Sequence, residues 1–349
     1  MSEKLLITID YSPNVGGVAR YLDSFSRKYG LDVLCRETRT QSSFFEGEGH
    51  GQILRKKLLW RWWPKWFPLL FWGLIYSRKY KEIVISHILP AGYLAFLCGK
   101  PYTVILHGLD ILNANKSEWK RFWAKRILNR ASCIIVNSKA TGELLRTVFS
   151  DLYNFEVEYP KIMPLLRADD NPKEKYGLEN KKIVLSLGRL VERKGQEKII
   201  KLMPRILKDT PEAVFVIAGA GPKKEELEIL AQTLNIEDKI KFLGWVGDNE
   251  LPNIYKMCDV FVLPVLPSKD NWEGFGMVCL EAAYFCKPSV VSNVGGLPEA
   301  VEDGITGFVV KDDEELSQKI IEILKDENLR HALGDEGRAR VEENFLIKL

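Results

Sequence analysis

Two carboxylates eight residues apart, Glu273 and Glu281, flank a glycine-bounded aromatic turn, Gly274-Phe275-Gly276, ahead of a helix-like run. Ionised carboxylates only accept hydrogen bonds, so a pair beside such a turn suits a ligand rich in hydroxyl groups. The turn itself suits an anionic or polyhydroxylated ligand, because a helix start exposes backbone N–H groups. A short apolar strand (Ser289 to Ser292), a Gly295-Gly296 turn and a hairpin-like Gly304 to Val310 follow. Upstream, Gly188 and Gly195 bracket a loop that carries Arg189, Arg193 and Lys194. Fixed cations at a sheet edge fit a diphosphate, at about 1.5–3 kcal/mol per charge-assisted bond. An ordinary basic loop is the plainer reading of that segment alone.

A second group of candidates lies in the first half. His107-Gly108-Leu109-Asp110 directly follows the apolar run Thr103 to Leu106, and strand ends are where open α/β sheets build their sites. Gly16-Gly17 follows the first apolar run, although any tight turn can use such a pair. Asn137-Ser138 stands at the equivalent point after Cys133 to Val136, and Ser138 is expected to cap the next helix. Gly219-Ala220-Gly221-Pro222 follows the strand Val214 to Ala218 but lacks the third glycine of a dinucleotide fingerprint. Gly244-Trp245-Val246 ends another strand, with backbone able to face a base. No Asp-x-Asp pair occurs, and the four histidines are far apart in the chain. A metal-held diphosphate calls for a carboxylate ligand nearby, so no essential metal and no cofactor are expected.

Short apolar runs alternating with helical patterns require a parallel α/β sheet in each half. The 349 residues fit two domains. The pattern lapses between Tyr159 and Asp170, where two prolines mark a linker. The expected organisation is an N-terminal domain over 1–166, a C-terminal domain over 167–330 and a final helix over 331–349. Six scattered cysteines lack metal-ligand spacing and read as buried thiols in a reducing compartment. No secretory signal is read at the start, where Lys4 to Asp10 is a strand pattern.

Net charge is +3, yet residues 1–168 hold 25 Lys and Arg against 14 Asp and Glu, while 169–349 hold 25 against 33. The basic half contains a singular stretch. Residues 49–81 have no acid, eight Lys and Arg, and Trp60, Trp62, Trp63, Trp66 and Trp72. Its apolar core, Phe67 to Tyr76, is too short to span a bilayer. Tryptophan mixed with basic residues suits the headgroup layer of an anionic leaflet. Residues 119–126 add Trp119, Phe122 and Trp123 at helical spacing. Peripheral contact through 55–81 and 119–126 on the cytoplasmic face of the cell membrane is the expectation; the plainer reading packs these rings on the sheet. No nucleic-acid motif is present.

The joint order of the Gly-Gly turn, His107-Gly108-x-Asp110, Gly188-Arg189-x₄-Lys194-Gly195, Gly244-Trp245-Val246 and Glu273-Gly-Phe-Gly-x₄-Glu281 resembles the retaining GT-B glycosyltransferases of family 4. The run GRLVERKGQ and the loop before WEGFGMVCLEA look most similar to α-mannosyltransferases acting on phosphatidylinositol mannosides. The resemblance implies two Rossmann-like domains facing across a cleft and a nucleotide-sugar donor held mainly by the second. Arg189 and Lys194 would neutralise the diphosphate, with Gly16 and Gly17 closing near it. Glu281 would take the ribose hydroxyls, and Glu273 with the Phe275 and Gly276 backbone the sugar hydroxyls. Gly219, Gly244 and Val246 would line the base. His107 would stand beside the donor sugar and Asp110 on the acceptor side. The implied reaction is metal-independent, retaining hexosyl transfer from GDP-mannose or a UDP-sugar to a lipid-linked or cell-envelope glycan. The alternatives are a GT-B nucleotide-sugar epimerase and a non-catalytic nucleotide-sugar-binding protein at the membrane. In that family the final helix crosses back to the first domain, and here the chain stops about where the crossing begins, at Glu343 to Leu349. The expectation is an abbreviated crossing or a clipped sequence.

Overall fold

The apolar runs form parallel strands, and their loops carry the chemistry. The structure is a computed structural model that describes residues 2–12, 16–37, 51–151, 154–165, 169, 172–268 and 270–347. It divides into one unit of Met1–Met163 with Ile347–Leu349 and a second of Pro164–Leu346. The boundary expected between 166 and 167 lies outside the described residues, as does part of the linker around it.

The first unit contains strands β1 (Lys4–Thr8), β2 (Asp32–Arg36), β3 (Ile53–Lys56), β4 (Glu82–Ser86), β5 (Tyr102–Leu106), β6 (Cys133–Val136) and β7 (Glu156–Val157). They form one sheet in the order β3-β2-β1-β4-β5-β6-β7, every pair parallel. Helices α1 (Gly17–Lys28), α2 (Phe67–Ser77), α3 (Ala91–Leu97), α4 (Leu109–Ala114), α5 (Glu118–Arg130) and α6 (Lys139–Val148) connect them. All five residues of β5 are buried, as helices on both faces of a parallel sheet require, and its sequence is accordingly apolar apart from Thr103. Ser138 caps α6 as expected, its side chain accepting from Thr141 N–H at 3.0 Å. Three strands were not anticipated. In β2 and β3 charged residues dilute the apolar signal, and β7 is only two residues long.

The second unit contains β8 (Lys182–Leu187), β9 (Ala213–Ala218), β10 (Ile240–Gly244), β11 (Val260–Leu263), β12 (Ser289–Ser292) and β13 (Gly307–Val310). These too are parallel, in the order β10-β9-β8-β11-β12-β13. Its helices are α7 (Pro172–Lys175), α8 (Gln196–Asp209), α9 (Lys224–Thr233), α10 (Leu251–Met257), α11 (Met277–Tyr284), α12 (Leu297–Ala300), α13 (Asp313–Lys325) and α14 (Glu327–Asn344). Helix α8 buries Ile199, Ile200, Met203 and Ile206, at i, i+1, i+4 and i+7, on one side of an amphipathic helix. Each such side chain contributes about 1.5–3 kcal/mol on burial. The stretch Gly304 to Val310, read as hairpin-like, is not a hairpin. Gly304 N–H donates to the Gly307 carbonyl at 2.8 Å, and β13 then runs parallel to β12. The final helix starts at Glu327 rather than 331 and packs on α11 closely enough that a Cβ on Gly334 would sit 2.2 Å from the Cys286 carbonyl oxygen. Past it, Ile347 N–H donates to Ile162 O at 3.0 Å, within the first unit.

In each sheet the strand order reverses once, between β1 and β4 and between β8 and β11. Loops that leave adjacent strands there travel to opposite faces, which opens a crevice at the strand ends. Both reversal points coincide with the residues of chemical interest.

Candidate active-site residues at the two strand-order reversals

In the second unit the β8 and β11 loops are locked together by backbone. Leu266 N–H donates to Arg193 O at 2.8 Å. Gly195 has φ +71, and a Cβ on it would lie 1.9 Å from the Pro264 carbonyl oxygen, so no other residue fits. This lock brings three charges together. Glu273 Oε2 accepts from Lys194 Nζ at 2.8 Å and also from Arg193 Nη1. The Glu273 side chain is only 12% exposed. Burial pushes its carboxyl up, but Lys194 and Arg193 outweigh burial and hold it below its ordinary value. Arg193, expected with Arg189 and Lys194 as one of the loop's cations facing a diphosphate, thus shares Glu273 with Lys194. Arg189 stands at the mouth of the same loop, exposed, and its guanidinium has no hydrogen bond or ion pair among the described residues.

The turn after Glu273 is braced from β12. Gly296 N–H donates to Glu273 O at 3.0 Å, and a Cβ on Gly295 would lie 2.2 Å from that same oxygen. The Gly295-Gly296 pair therefore exists to let the two backbones touch. Gly276 is left-handed at φ +92 and opens α11, while the Phe275 ring is core and packs on Phe345. Glu281, on α11, is 2% exposed and accepts from Tyr255 Oη at 2.6 Å. That partner, on α10, carried no signal in the sequence.

The rim continues over the other strands. Gly219 N–H donates to Gly244 O at 2.7 Å, and a Cβ on Gly219 would meet the Gly188 carbonyl oxygen at 1.9 Å. Gly188, Gly219 and Gly244 so form one continuous backbone edge. Val246 is half-buried beside it, and Trp245 projects outward.

In the first unit His107 and Asp110 are both buried. Asp110 Oδ1 accepts from His107 N–H at 3.0 Å, while Asp110 Oδ2 and His107 Nδ1 find no partner among the described residues. Burial, with a smaller contribution from His87, pushes the His107 imidazole well below its usual range, so the ring is neutral. Burial pushes the Asp110 carboxyl up. The Tyr21 ring meets His107 edge-on at 5.3 Å. Gly16 and Gly17 are exposed at the start of α1, and a Cβ on either would meet nothing within 4 Å, while residues 13–15 between them and β1 lie outside the described residues. The sequence reading missed His87, which follows β4 and whose ring centroid is 5.3 Å from that of His107. Its signal was position alone, one residue past an apolar run.

Residues 55–81 divide between roles. Arg55 and Lys56 belong to β3, where Arg55 donates to Ser12 O at 2.8 Å and Lys56 Nζ lies 5.0 Å over the Trp72 ring. Trp66 and Trp72 pack inward, whereas Trp62 and Trp63 are 79% and 89% exposed and Phe67, Phe71, Leu74 and Ile75 line the outer face of α2. On α5, Trp119 and Phe122 are exposed and Trp123 is packed among Tyr93, Phe96 and both neighbours. Helices α2 and α5 both rest on α3. No helix among the described residues is long and apolar enough to cross a membrane.

A family model described as glycosyl transferases group 1 matches residues 169–340, and one described as Glycosyltransferase Family 4 matches residues 15–151. A GDP-mannose-dependent alpha-(1-6)-phosphatidylinositol monomannoside mannosyltransferase of Mycolicibacterium smegmatis is 31% identical, the alignment covering 98% of this chain and 94% of that protein. The chain belongs to glycosyltransferase family 4. Another relative, an Escherichia coli UDP-Gal:alpha-D-GlcNAc-diphosphoundecaprenol alpha-1,3-galactosyltransferase, is 27% identical over 85% of this chain and 74% of its own. Among solved structures, a sucrose-phosphate synthase from Thermosynechococcus elongatus superposes with a TM-score of 0.81 at 23% identity, covering 99% of this chain and 95% of that one. Anabaena HepE in complex with UDP and glucose gives the same score at 22% identity, covering 99% and 96%. The fold is GT-B, as expected from the sequence, and the family member is a glycosyltransferase.

Proposed function

We propose that this glycosyltransferase moves a hexose, with mannose from GDP-mannose the first choice, to a lipid-linked or cell-envelope glycan acceptor, retaining the anomeric configuration and needing no essential metal. The observation that carries the reading is the convergence of Arg193, Lys194 and Glu273 at the β8–β11 reversal. Arg189, Arg193 and Lys194 supply positive charge for a diphosphate leaving group. Glu273 then serves as an ionised acceptor for hydroxyls of the transferred sugar, and Glu281, which accepts from Tyr255, takes the ribose hydroxyls. Gly219, Gly244 and Val246 offer backbone and a small side chain to the base. His107 stands with the reacting sugar and Asp110 toward the acceptor. The donor C1–O bond to phosphate breaks as the acceptor oxygen bonds to C1 on the same face, and the departing phosphate takes the acceptor proton. The protein's contribution is charge stabilisation and positioning.

GDP-mannose dependence of the mycobacterial-type relatives supports that donor, and the UDP-galactose-dependent relative supports UDP-hexoses as the rivals. Acceptors named for these relatives are lipid-linked, which agrees with the exposed aromatic faces of α2 and α5 among basic residues. We extend the proposal to peripheral binding of an anionic bilayer on its cytoplasmic side. Incubation with GDP-mannose, UDP-glucose and UDP-GlcNAc against lipid extracts, with and without EDTA, tests the chemistry. An α-linked product formed equally in EDTA is expected. A β-linked product, or nucleotide released without any acceptor, refutes it.

A further inference from the structure

Three side chains at the β1–β4 reversal have no role in the reading above: Asp10, Ser86 and His87. Ser86 Oγ lies 3.0 Å from His87 Nδ1 and 3.1 Å from His107 Nε2. A hydroxyl has one proton, so it donates to one imidazole and accepts from the other. The two rings are therefore coupled, and the state of one dictates the tautomer of its neighbour. His87 Nε2 in turn lies 3.7 Å from Asp10 Oδ2. A carboxylate favours a proton on the nitrogen that faces it.

The proton positions then follow along the chain of groups. Neutral His87 carries its proton on Nε2, towards Asp10, and its bare Nδ1 accepts from Ser86. Ser86 accepts from His107 Nε2–H. His107 is left with a bare Nδ1, and that atom is buried without a partner among the described residues. A bare imidazole nitrogen fits a hydroxyl donor, whereas the other tautomer would present an N–H there. The backbone supports a purpose for this arrangement, since His87 is held at φ +72, a conformation that costs energy for a residue with a Cβ.

We infer that Asp10, His87 and Ser86 are positioning residues that fix His107 in the Nε2–H tautomer, leaving Nδ1 to accept a hydroxyl hydrogen of the glycosyl substrate. The inference rests on the placement of His107 beside the transferred sugar. Asp10 follows β1 and His107 follows β5, and Asp110 on α4 and Tyr21 on α1 complete the groups around the two rings. A second proton on His87 reverses the relay. His87 Nδ1 then donates, Ser86 must donate to His107 Nε2, and His107 moves its proton to Nδ1.

The test uses full-length protein labelled with ring-¹⁵N histidine, whose four histidines give four ring spin systems. Long-range ¹H–¹⁵N correlation separates bare from protonated ring nitrogens without any substrate, with assignment by His107→Gln and His87→Gln. The wild type is expected to show His107 protonated at Nε2 and bare at Nδ1. Ser86→Ala and Asp10→Ala are expected to populate the other tautomer and to lower kcat about tenfold or more, with donor KM changed less than about threefold. Asp10 is half-exposed, so its variant leaves the core intact. A wild-type His107 protonated at Nδ1, or a tautomer unmoved by both substitutions, overturns the inference. Full activity in His107→Ala would instead remove the placement of His107, a failure the spectra report separately.

Discussion

The two sheets place chemistry at the same topological point but build it from opposite materials. At the β8–β11 reversal the residues are formally charged, and Glu273 persists as a carboxylate because Lys194 and Arg193 offset the cost of burial. At the β1–β4 reversal the central groups are imidazoles and a hydroxyl joined by neutral hydrogen bonds, and burial keeps His107 uncharged. An ionic cluster suits binding of a charged, polyhydroxylated donor. A neutral cluster suits directing single protons and lone pairs. In the function proposed above, the same reversal of strand order serves as a holding site in one unit and a tuning site in the other.

Substitutions at the ionic site should produce the largest effects. Glu273→Ala removes the shared acceptor and leaves two cations crowded together, so kcat/KM for transfer should fall about 10²–10³-fold in steady-state assays. Lys194→Ala should cost more than Arg193→Ala, because the Lys194 side chain is 12% exposed against 27% for Arg193. Equal losses would mean that burial does not set the strength of the clamp.

Tyr255→Phe probes the buried carboxylate of the same unit. It deletes the hydroxyl donor to Glu281 and should destabilise the protein by about 1.5–3 kcal/mol in urea unfolding. Acid sensitivity sharpens the contrast further. The folded-state value of Glu273 lies below its ordinary 4.5, so its contribution to stability is complete above that pH and is lost as pH falls through the lower, folded value. Wild type should therefore lose stability below about pH 4.5 more steeply than Glu273→Gln, as read from urea midpoints between pH 3 and 6. The smallest effect on stability is expected at the outer face of the first unit. Trp62→Ala with Trp63→Ala removes two exposed rings and should leave the unfolding midpoint within about 0.5 kcal/mol. The same pair should weaken sedimentation with anionic liposomes at low salt; unchanged sedimentation would return those tryptophans to another purpose.

Much of the second unit could be read from sequence because its strands are buried on both faces. Lys182 to Leu187, Val260 to Leu263 and Ser289 to Ser292 are short, mostly β-branched or apolar segments, and each became a strand with those bounds. The edge strands of the first unit resisted reading. β3 holds Arg55 and Lys56 in a segment whose tryptophans dominated its appearance, and the carbonyl that Arg55 binds is 43 residues away. Long-range partners were hidden for the same reason. Arg193 and Glu273 are 80 residues apart, Tyr255 and Glu281 are 26 apart, and a loop residue such as His87 has no periodic pattern to reveal it. Spacing identifies residues suited to a ligand, but the groups that set their charge come from other strands and emerge only when the sheet forms.

The most direct test of the central claim, that the β8–β11 reversal holds a nucleotide-sugar donor, is calorimetric titration of GDP-mannose and UDP-glucose into wild type, Lys194→Ala and Glu281→Ala. The account predicts that at least one donor binds the wild type and that each substitution weakens it about tenfold or more. Donor affinity equal in all three proteins would contradict it.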